Sequence, residues 1–177
     1  GLRVLAFEPG RRFPNCSCVQ HRFPHFLIQN CVRKKSLSLE EMGLTLPEYP
    51  EGQGVFDHVK EFGPNLAYVA GCGPEINGVL KYTGRVDKEV TMEQAKECAV
   101  DCTLNFLRAL QLHFGDLDRI KQFVKMTVFV ACDHDFKLQP EVGDACTGLL
   151  KELYGEERGV PARSSIGQAA LPYGFPV

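Results

Sequence analysis

The sequence contains no tryptophan, and no apolar run approaches the ~20 residues that a membrane-spanning helix needs. We therefore expect no membrane partner. The strongly apolar stretches are short and bounded by glycine, as in Leu66–Ala70, which is typical of β-strands. With 177 residues and 44% hydrophobic content, the chain has room for one ordinary globular domain.

Acidic residues are nearly absent from residues 1–35, where Glu8 stands against seven Lys and Arg residues and the net charge is +6. The remaining residues carry −8. Phosphate recognition needs clustered Lys and Arg, so the acidic body argues against a nucleic-acid partner. The basic segment could itself bind nucleic acid, serve as a targeting sequence, or lie outside the folded unit.

Residues 1–35 also lack any sustained hydrophobic periodicity and contain three prolines. We interpret them as a poorly ordered or targeting extension, with the folded domain over residues 36–177. The segment is Arg-rich and acid-poor like a mitochondrial presequence, but it has a single serine. The expected location is cytoplasmic, with mitochondria as the alternative. Because the chain begins at Gly1 and not at Met, we expect its true start to be missing.

The eight cysteines follow no regular disulfide framework and no secretory signal precedes them, so reduced thiols in an intracellular compartment are expected. The extension holds zinc-compatible residues, but their spacing does not match structural zinc sites. We therefore predict no metal. The zinc-compatible residues are Cys16, Cys18, His21, His25 and Cys31.

The first half of the domain shows short elements. A capping pattern from Ser36 or Ser38 to Glu41 predicts a short helix. Leu66–Ala70 predicts a strand, and the Asn77-Gly78 dipeptide is a strong hairpin signal leading to a second strand, Val79–Val86.

The second half alternates helices and strands. A capping box and an apolar stripe predict a helix, which is followed by a strand, a second helix and a final strand. The order β-β-α-β-α-β favours an α/β (α+β) unit with a mixed sheet and both helices on one face. Two helices cannot cover both faces of the sheet, so a homo-oligomer is expected. The predicted elements are Thr91 to Gly115, 120–131, about Pro140 to Tyr154, and Ala162 to Leu171.

Four motifs in this order resemble the RidA (YjgF/YER057c/UK114, endoribonuclease L-PSP) family, over about residues 40–177. The segments are Gly63–Gly71 with Pro74, Gly115–Val130 followed by Asp135-Phe136, the Tyr154-Gly155 helix end, and Pro161–Pro172. The last is the most specific, because it is similar to the family's Pro-Ala-Arg-Ser…Leu-Pro signature.

The resemblance implies a chorismate-mutase-like (ferredoxin-like) two-layer fold assembled as a homotrimer, with sites between subunits and with no cofactor. It also implies hydrolysis of 2-aminoacrylate-type enamines and imines to 2-keto acids and ammonia. Arg163 would bind the substrate carboxylate as a planar, permanently charged, bidentate group. Ser165 and Gly71 would line the pocket through their backbones, and Phe56 lies near the family's pocket tyrosine, where a hydroxyl would be lost.

The family's last strand, with a water-orienting glutamate, continues beyond the point where this sequence stops at Val177. We therefore expect the domain to be truncated at its C-terminal strand. The alternative function is a non-catalytic RidA-like protein that binds small carboxylates. Ribonuclease activity lacks a histidine pair or basic groove in the acidic body, and chorismate-mutase chemistry needs more cations than one arginine supplies.

Overall fold

A computed structural model describes residues 3–7, 38–48 and 55–177. Within these residues, the secondary structure consists of five strands and two long helices, with two short 3-10 turns at 117–119 and 172–174. In chain order these elements are β1 (Arg3–Phe7), β2 (Val59–Phe62), β3 (Leu66–Val69), α1 (Met92–Phe114), β4 (Ile120–Ala131), α2 (Gln139–Gly159) and β5 (Ala162–Gln168).

The strands form one mixed sheet in the order β2-β3-β1-β4-β5. Strands β4 and β5 are parallel, and the other neighbouring pairs are antiparallel. The helices pack against each other and cover one sheet face, where Ala67, Val69 and Val130 are buried. The α+β class with two helices on a mixed sheet is therefore confirmed. The predicted chain order β-β-α-β-α-β is not confirmed, because three strands precede α1.

Helix α1 begins and ends as its sequence indicates. The Thr91 hydroxyl accepts a hydrogen bond from the Gln94 backbone, and the Gln94 side chain accepts one from the Thr91 backbone, so the capping box is present. Gly115 ends the helix with φ 78°, a conformation that costs glycine little. The apolar stripe is buried, including Phe106 and Leu110.

The segment β4–α2–β5 is a parallel crossover, as predicted. Its register places Met126 opposite Arg163 and Val128 opposite Ser165. The range Gln139–Gly159 contains two helical segments that are separated at Gly155, whose φ of 78° and ψ of 176° are not helical. The long segment of α2 therefore ends at Gly155, as predicted, and a short helical segment follows it.

The first half of the domain differs more from the elements that the sequence predicts. The Asn77-Gly78 turn is present, with both φ angles positive and reciprocal Ile76–Val79 hydrogen bonds. The strand predicted after it, Val79–Val86, is wrong, since this segment makes only isolated bridges. The hairpin instead joins β2 and β3 around Gly63. Because β2 and β1 occupy both edges of β3, no edge is left there for residues 79–86.

The predicted extension contributes a strand to the sheet. Arg3–Phe7 lies between β3 and β4, so the boundary at residue 35 does not hold for these five residues. The rest of the extension, including its zinc-compatible residues, lies outside the described residues, and targeting stays a prediction. The Ser38–Glu41 capping bonds are present, but residues 39–43 form turns and no helix.

Cys98 and Cys132 are buried and form no disulfide. Burial raises the pKa of the Cys98 thiol to about 12, so the reactive thiolate is scarce at neutral pH. Within the described ranges, no helix is long and apolar enough to cross a membrane.

Lys81 contacts two carboxylates on α1 whose pKa values are shifted in opposite directions. Its Nζ lies 2.7 Å from Glu97 and 3.2 Å from Asp101. The hydrogen bonds from Lys81 and from the Tyr82 hydroxyl lower the pKa of Glu97. Burial raises the pKa of Asp101 despite Lys81, because its side chain is only 10% exposed. Ionisation of Asp101 therefore costs folding free energy, whereas ionisation of Glu97 contributes to it.

We expect Asp101→Asn to raise the melting temperature at pH 7 and Glu97→Gln to lower it. The Asp101 effect is full above its raised folded pKa and disappears as the pH falls below the ordinary value of 3.8. The Glu97 effect disappears as the pH falls through its lowered folded pKa. Thermal unfolding of both variants from pH 3 to pH 7 measures this, and a shift of the same sign in both would contradict it.

Candidate functional site

The Arg163 side chain lies on edge strand β5 and points toward α2. Its Nη1 donates to the Thr147 hydroxyl at 2.8 Å and lies 2.7 Å from the Asp144 carboxylate, and its Nη2 donates to the Pro140 carbonyl at 3.1 Å. The Arg163 side chain is 18% exposed and Asp144 is 68% exposed. The guanidinium is thus fixed from the protein side by neutral oxygens, and its charge is balanced by an exposed surface carboxylate.

The sequence offered a signal for these partners that our sequence analysis missed. Pro140, Asp144 and Thr147 follow i, i+4, i+7 spacing and therefore share one face of α2. Parallel pairing of β4 with β5 brings that face over Arg163.

Ser165 lies on the same side of β5, two residues from Arg163. Its hydroxyl is buried and has no hydrogen-bond partner among the described residues. The contact that confines it is with Gly143 of α2, where a Cβ would lie 2.4 Å from Ser165 Oγ and 3.0 Å from Arg163 Nε. Gly143 thus allows helix and strand to approach closely enough for Arg163 to reach its partners.

A cavity of 460 Å³ opens in the sheet between the chain that follows β3 and the middle of β4. Its wall is mostly apolar and aromatic, and none of its described lining residues is acidic, basic or a histidine. The lining residues are Phe56, Gly71, Cys72, Gly73, Cys102, Thr127, Val128, Phe129, Cys146, Leu171, Pro172, Tyr173, Phe175 and Val177.

Two contacts hold the cavity wall in place. The Asn105 side-chain amide donates to the carbonyls of Gly73 and Glu75, at 3.0 and 2.7 Å, and so ties the wall to α1. The Phe175 ring packs directly on Gly73, where a Cβ would lie 2.2 Å from Phe175 Cε2. Asn105 was absent from the sequence-based candidates, because a lone polar residue within an apolar stripe gives no clue to its partner.

The structure brings only some of the predicted residues together. Gly71 and Phe56 line the cavity, and Phe56 is 54% exposed. Arg163 and Ser165 are absent from its wall and lie behind it. Ser165 is opposite Val128, a cavity residue, and Thr147 follows Cys146, another. Arg163 and its partners on α2 therefore lie next to the cavity, since α2 and β4 border both. The roles of Arg163, Ser165, Gly71 and Phe56 stay predictions.

Other charged groups near strand ends have structural partners. Asp133 contacts both Arg85 and Lys88, and the bond from Lys88 holds its pKa below the ordinary range. In the part of the chain that the structure describes, no three His, Cys, Asp or Glu side chains are grouped to hold a metal ion.

We expect Gly143→Ala to destabilise the protein and loosen Arg163. The new methyl group must displace the Ser165 hydroxyl and the Arg163 side chain or push α2 and β5 apart. We expect this to cost about 1–3 kcal/mol and to outweigh the ~1 kcal/mol that alanine gains in a helix. Gly148→Ala is the matched control on the same helix, since a Cβ there meets nothing within 4 Å. We expect this control to be as stable as wild type or more so. Thermal unfolding distinguishes the two, and equal stability of both variants would contradict the role of Gly143.

Known proteins share both the sequence and the architecture. Protein TCP17 of Trypanosoma cruzi is 36% identical over 142 residues, which is 79% of this chain and 87% of that protein. The crystal structure of Atu1372, a protein of unknown function from Agrobacterium tumefaciens, is 32% identical with a TM-score of 0.69, covering 78% of this chain and 83% of that one.

A candidate endoribonuclease from Shewanella oneidensis MR-1 has a similar crystal structure. It is 26% identical with a TM-score of 0.72, and the match covers 78% of this chain and 90% of that one. No protein-family model matches the chain.

Proposed function

We propose that this chain, which belongs to the RidA (YjgF/YER057c/UK114) family, is an enamine/imine deaminase that acts on small 2-aminoacrylate-type acids. The enamine tautomerises to the imine, and water adds to the imine carbon. The C–N bond then breaks to release ammonia and the 2-keto acid. Each substrate of this class carries one carboxylate beside the reacting carbon.

The proposal rests on one observation, the set of contacts that the Arg163 guanidinium makes. Thr147 and Pro140 hold its guanidinium without neutralising it, and the balancing carboxylate belongs to exposed Asp144. A substrate carboxylate can replace Asp144 on Nη1, because an exposed ion pair contributes little free energy. Fixing the substrate by this contact raises its effective concentration in the site.

The same proposal includes a homotrimer with its sites between subunits. Apolar side chains are exposed on the sheet face away from the helices, where Phe62 stacks on Tyr68 at 4.5 Å between ring centroids and Ile166 lies on β5. Exposed apolar side chains on a sheet face support an interface there. A neighbouring subunit on this face would complete the environment of the cavity.

A second candidate function is binding of small carboxylates without turnover. One observation favours it: the described cavity wall carries no carboxylate, amine, guanidinium or imidazole group to activate water, and its proton-bearing side chains are hydroxyls and thiols, as in Tyr173 and Cys72. The same observation gives no support for RNA cleavage, despite the description of the Shewanella relative, because that chemistry also needs proton transfer and phosphate-binding cations.

The test is to generate 2-aminoacrylate with a pyridoxal-phosphate-dependent serine dehydratase and to follow pyruvate release with and without the protein. We expect faster release with wild type. We expect Asp144→Asn to lower KM by several-fold, because the substrate no longer competes with the internal carboxylate. Glu141→Gln is the matched control on the same exposed helix turn and should leave KM unchanged. No acceleration by folded wild type would overturn the deaminase, and pyruvate binding by calorimetry would then decide the second candidate.

A further inference from the structure

The Ser164 side chain points away from the helices, to the sheet face opposite Arg163. Arg163 and Ser165 both contact α2, and successive side chains along a strand alternate between the two faces. Lys125 of β4 reaches the same face as Ser164, because its Nζ donates to the Ser164 hydroxyl at 2.7 Å. The two faces of the sheet at β5 therefore carry different cations, Arg163 on one and Lys125 on the other.

Among the described residues, Lys125 has no acidic partner. Its hydrogen bond to Ser164 is partly buried and joins it to a neutral group. The described strands contain a single acidic residue, Glu61, which lies 2.8 Å from His113 Nε2 on α1 and so belongs to the helix side. An ammonium that is partly withdrawn from water favours an anion beside it. Lys125 is therefore a cation that a ligand can use.

The Lys125 ammonium lies at the edge of the cavity. Ser164 is directly opposite Thr127 in the parallel register, and Thr127 lines the cavity. Lys125 precedes Thr127 by two residues, so its side chain extends along β4 to reach Ser164 at the level of Thr127. Neighbouring strands are about 4.8 Å apart, which places the ammonium within roughly one strand spacing of the cavity wall.

The cavity itself suits an aromatic ligand. Its volume of 460 Å³ is within the range of small-molecule sites, ~300–1,000 Å³. Its wall includes the rings of Phe56, Phe129, Tyr173 and Phe175. Phe56 is 54% exposed and Tyr173 is 83% exposed, so both rings have apolar surface that a ligand can cover.

We propose that the cavity binds aromatic monocarboxylates, with the ring of the ligand against these aromatic side chains and its carboxylate on Lys125 and Ser164. The ammonium donates charge-assisted hydrogen bonds to the carboxylate. The Ser164 hydroxyl accepts from Lys125 and keeps its own proton to donate to the same carboxylate. This site is separate from the contacts of Arg163, so the inference does not rest on the proposed deaminase activity.

Titration calorimetry of the full chain with 3-phenylpropanoate tests the site, since this acid has one ring, one carboxylate and no imine. We expect it to bind, and we expect 3-phenylpropanamide, which has the same shape without the charge, to bind about tenfold or more weakly. Lys125→Met keeps the length of the side chain and should lower the affinity for the acid by a similar factor, with no change for the amide. Acetate lacks the ring and should bind far more weakly than 3-phenylpropanoate.

Lys60→Met is the matched control on the same sheet face. Lys60 is opposite the exposed Tyr68 in the register, but its Nζ already lies 2.7 Å from the Asp57 carboxylate. The affinity for 3-phenylpropanoate should be unchanged in this variant. It should also be unchanged in Arg163→Ala, because that guanidinium lies on the helix side of the sheet.

Three results would overturn the proposal. In the first, wild type does not bind 3-phenylpropanoate or binds the amide equally well. In the second, Lys125→Met has the same affinity as Lys60→Met, and a loss of affinity in Arg163→Ala alone would then assign the carboxylate to Arg163. In the third, Lys125→Met changes the mass of the oligomer in size exclusion but not the affinity, which would mean that Lys125 pairs with a neighbouring copy.

Discussion

Arg163→Ala is expected to lower kcat/KM for 2-aminoacrylate by about 30-fold or more. Truncating one partner of a hydrogen-bonded charge pair costs about 2–5 kcal/mol, and every 1.4 kcal/mol is tenfold. The kcat/KM of Arg163→Lys should lie between those of wild type and Arg163→Ala, because an ammonium keeps the charge but cannot form the bidentate contact. The fold should tolerate both changes, since the Asp144 carboxylate left behind is mostly exposed.

Arg158 provides the matched control for this experiment. It also lies at a helix–strand junction, where it donates to the carbonyls of Ile120 and Lys121 and stacks on Tyr154 at 5.3 Å. Arg158→Ala should therefore lower the melting temperature and leave kcat/KM unchanged. If Arg163→Ala behaves in the same way, the arginine is a structural clamp between β5 and α2, and the carboxylate-binding role fails.

Gly73→Ala is expected to destabilise the protein by about 1–3 kcal/mol, as overpacking does in a close-packed interior. Its φ is not positive, so the cost is steric and not conformational. The added methyl group would lie within 3 Å of three atoms of the Phe175 ring, which must leave the cavity wall. Ligand affinity should fall together with stability, because residues 171–177 supply much of that wall.

A double-mutant cycle tests whether the clash with the Phe175 ring causes the loss of stability in Gly73→Ala. Phe175→Ala removes the ring and should itself destabilise, since it leaves part of the wall without packing. Gly73→Ala in that background should cost little, because the new methyl group then has room. The two effects must be strongly non-additive in denaturant unfolding. Additive effects would mean that Gly73 matters for another reason.

The second half of the fold could be predicted because its signals are local. The Thr91 capping box, Gly115 and the apolar stripe between them define α1 without reference to any other segment. The β-branched run at 120–131 behaves likewise. The short strands of the first half depend on which sheet edge is available, and the weakly patterned Arg3–Phe7 segment obtains its place only from β3 and β4.

The candidate site also has a part that the sequence predicts and a part that it does not. Arg163 was found through the Pro-Ala-Arg-Ser motif, and its partner face on α2 had a readable helical spacing. The cavity could not be found from sequence, because it joins residues as distant as Phe56, Cys102 and Phe175. Their proximity is a product of the sheet topology and leaves no periodic mark along the chain.

The central position of β1 also sets an order of events during folding. The β4–α2–β5 crossover closes a short loop, whereas β1 must pair with partners about 60 and 120 residues away. Loop-closure entropy delays such long-range pairing, so β1 should dock last. Until it does, the inner edges of β3 and β4 expose unpaired backbone groups, which makes this late step the period of greatest risk of aggregation.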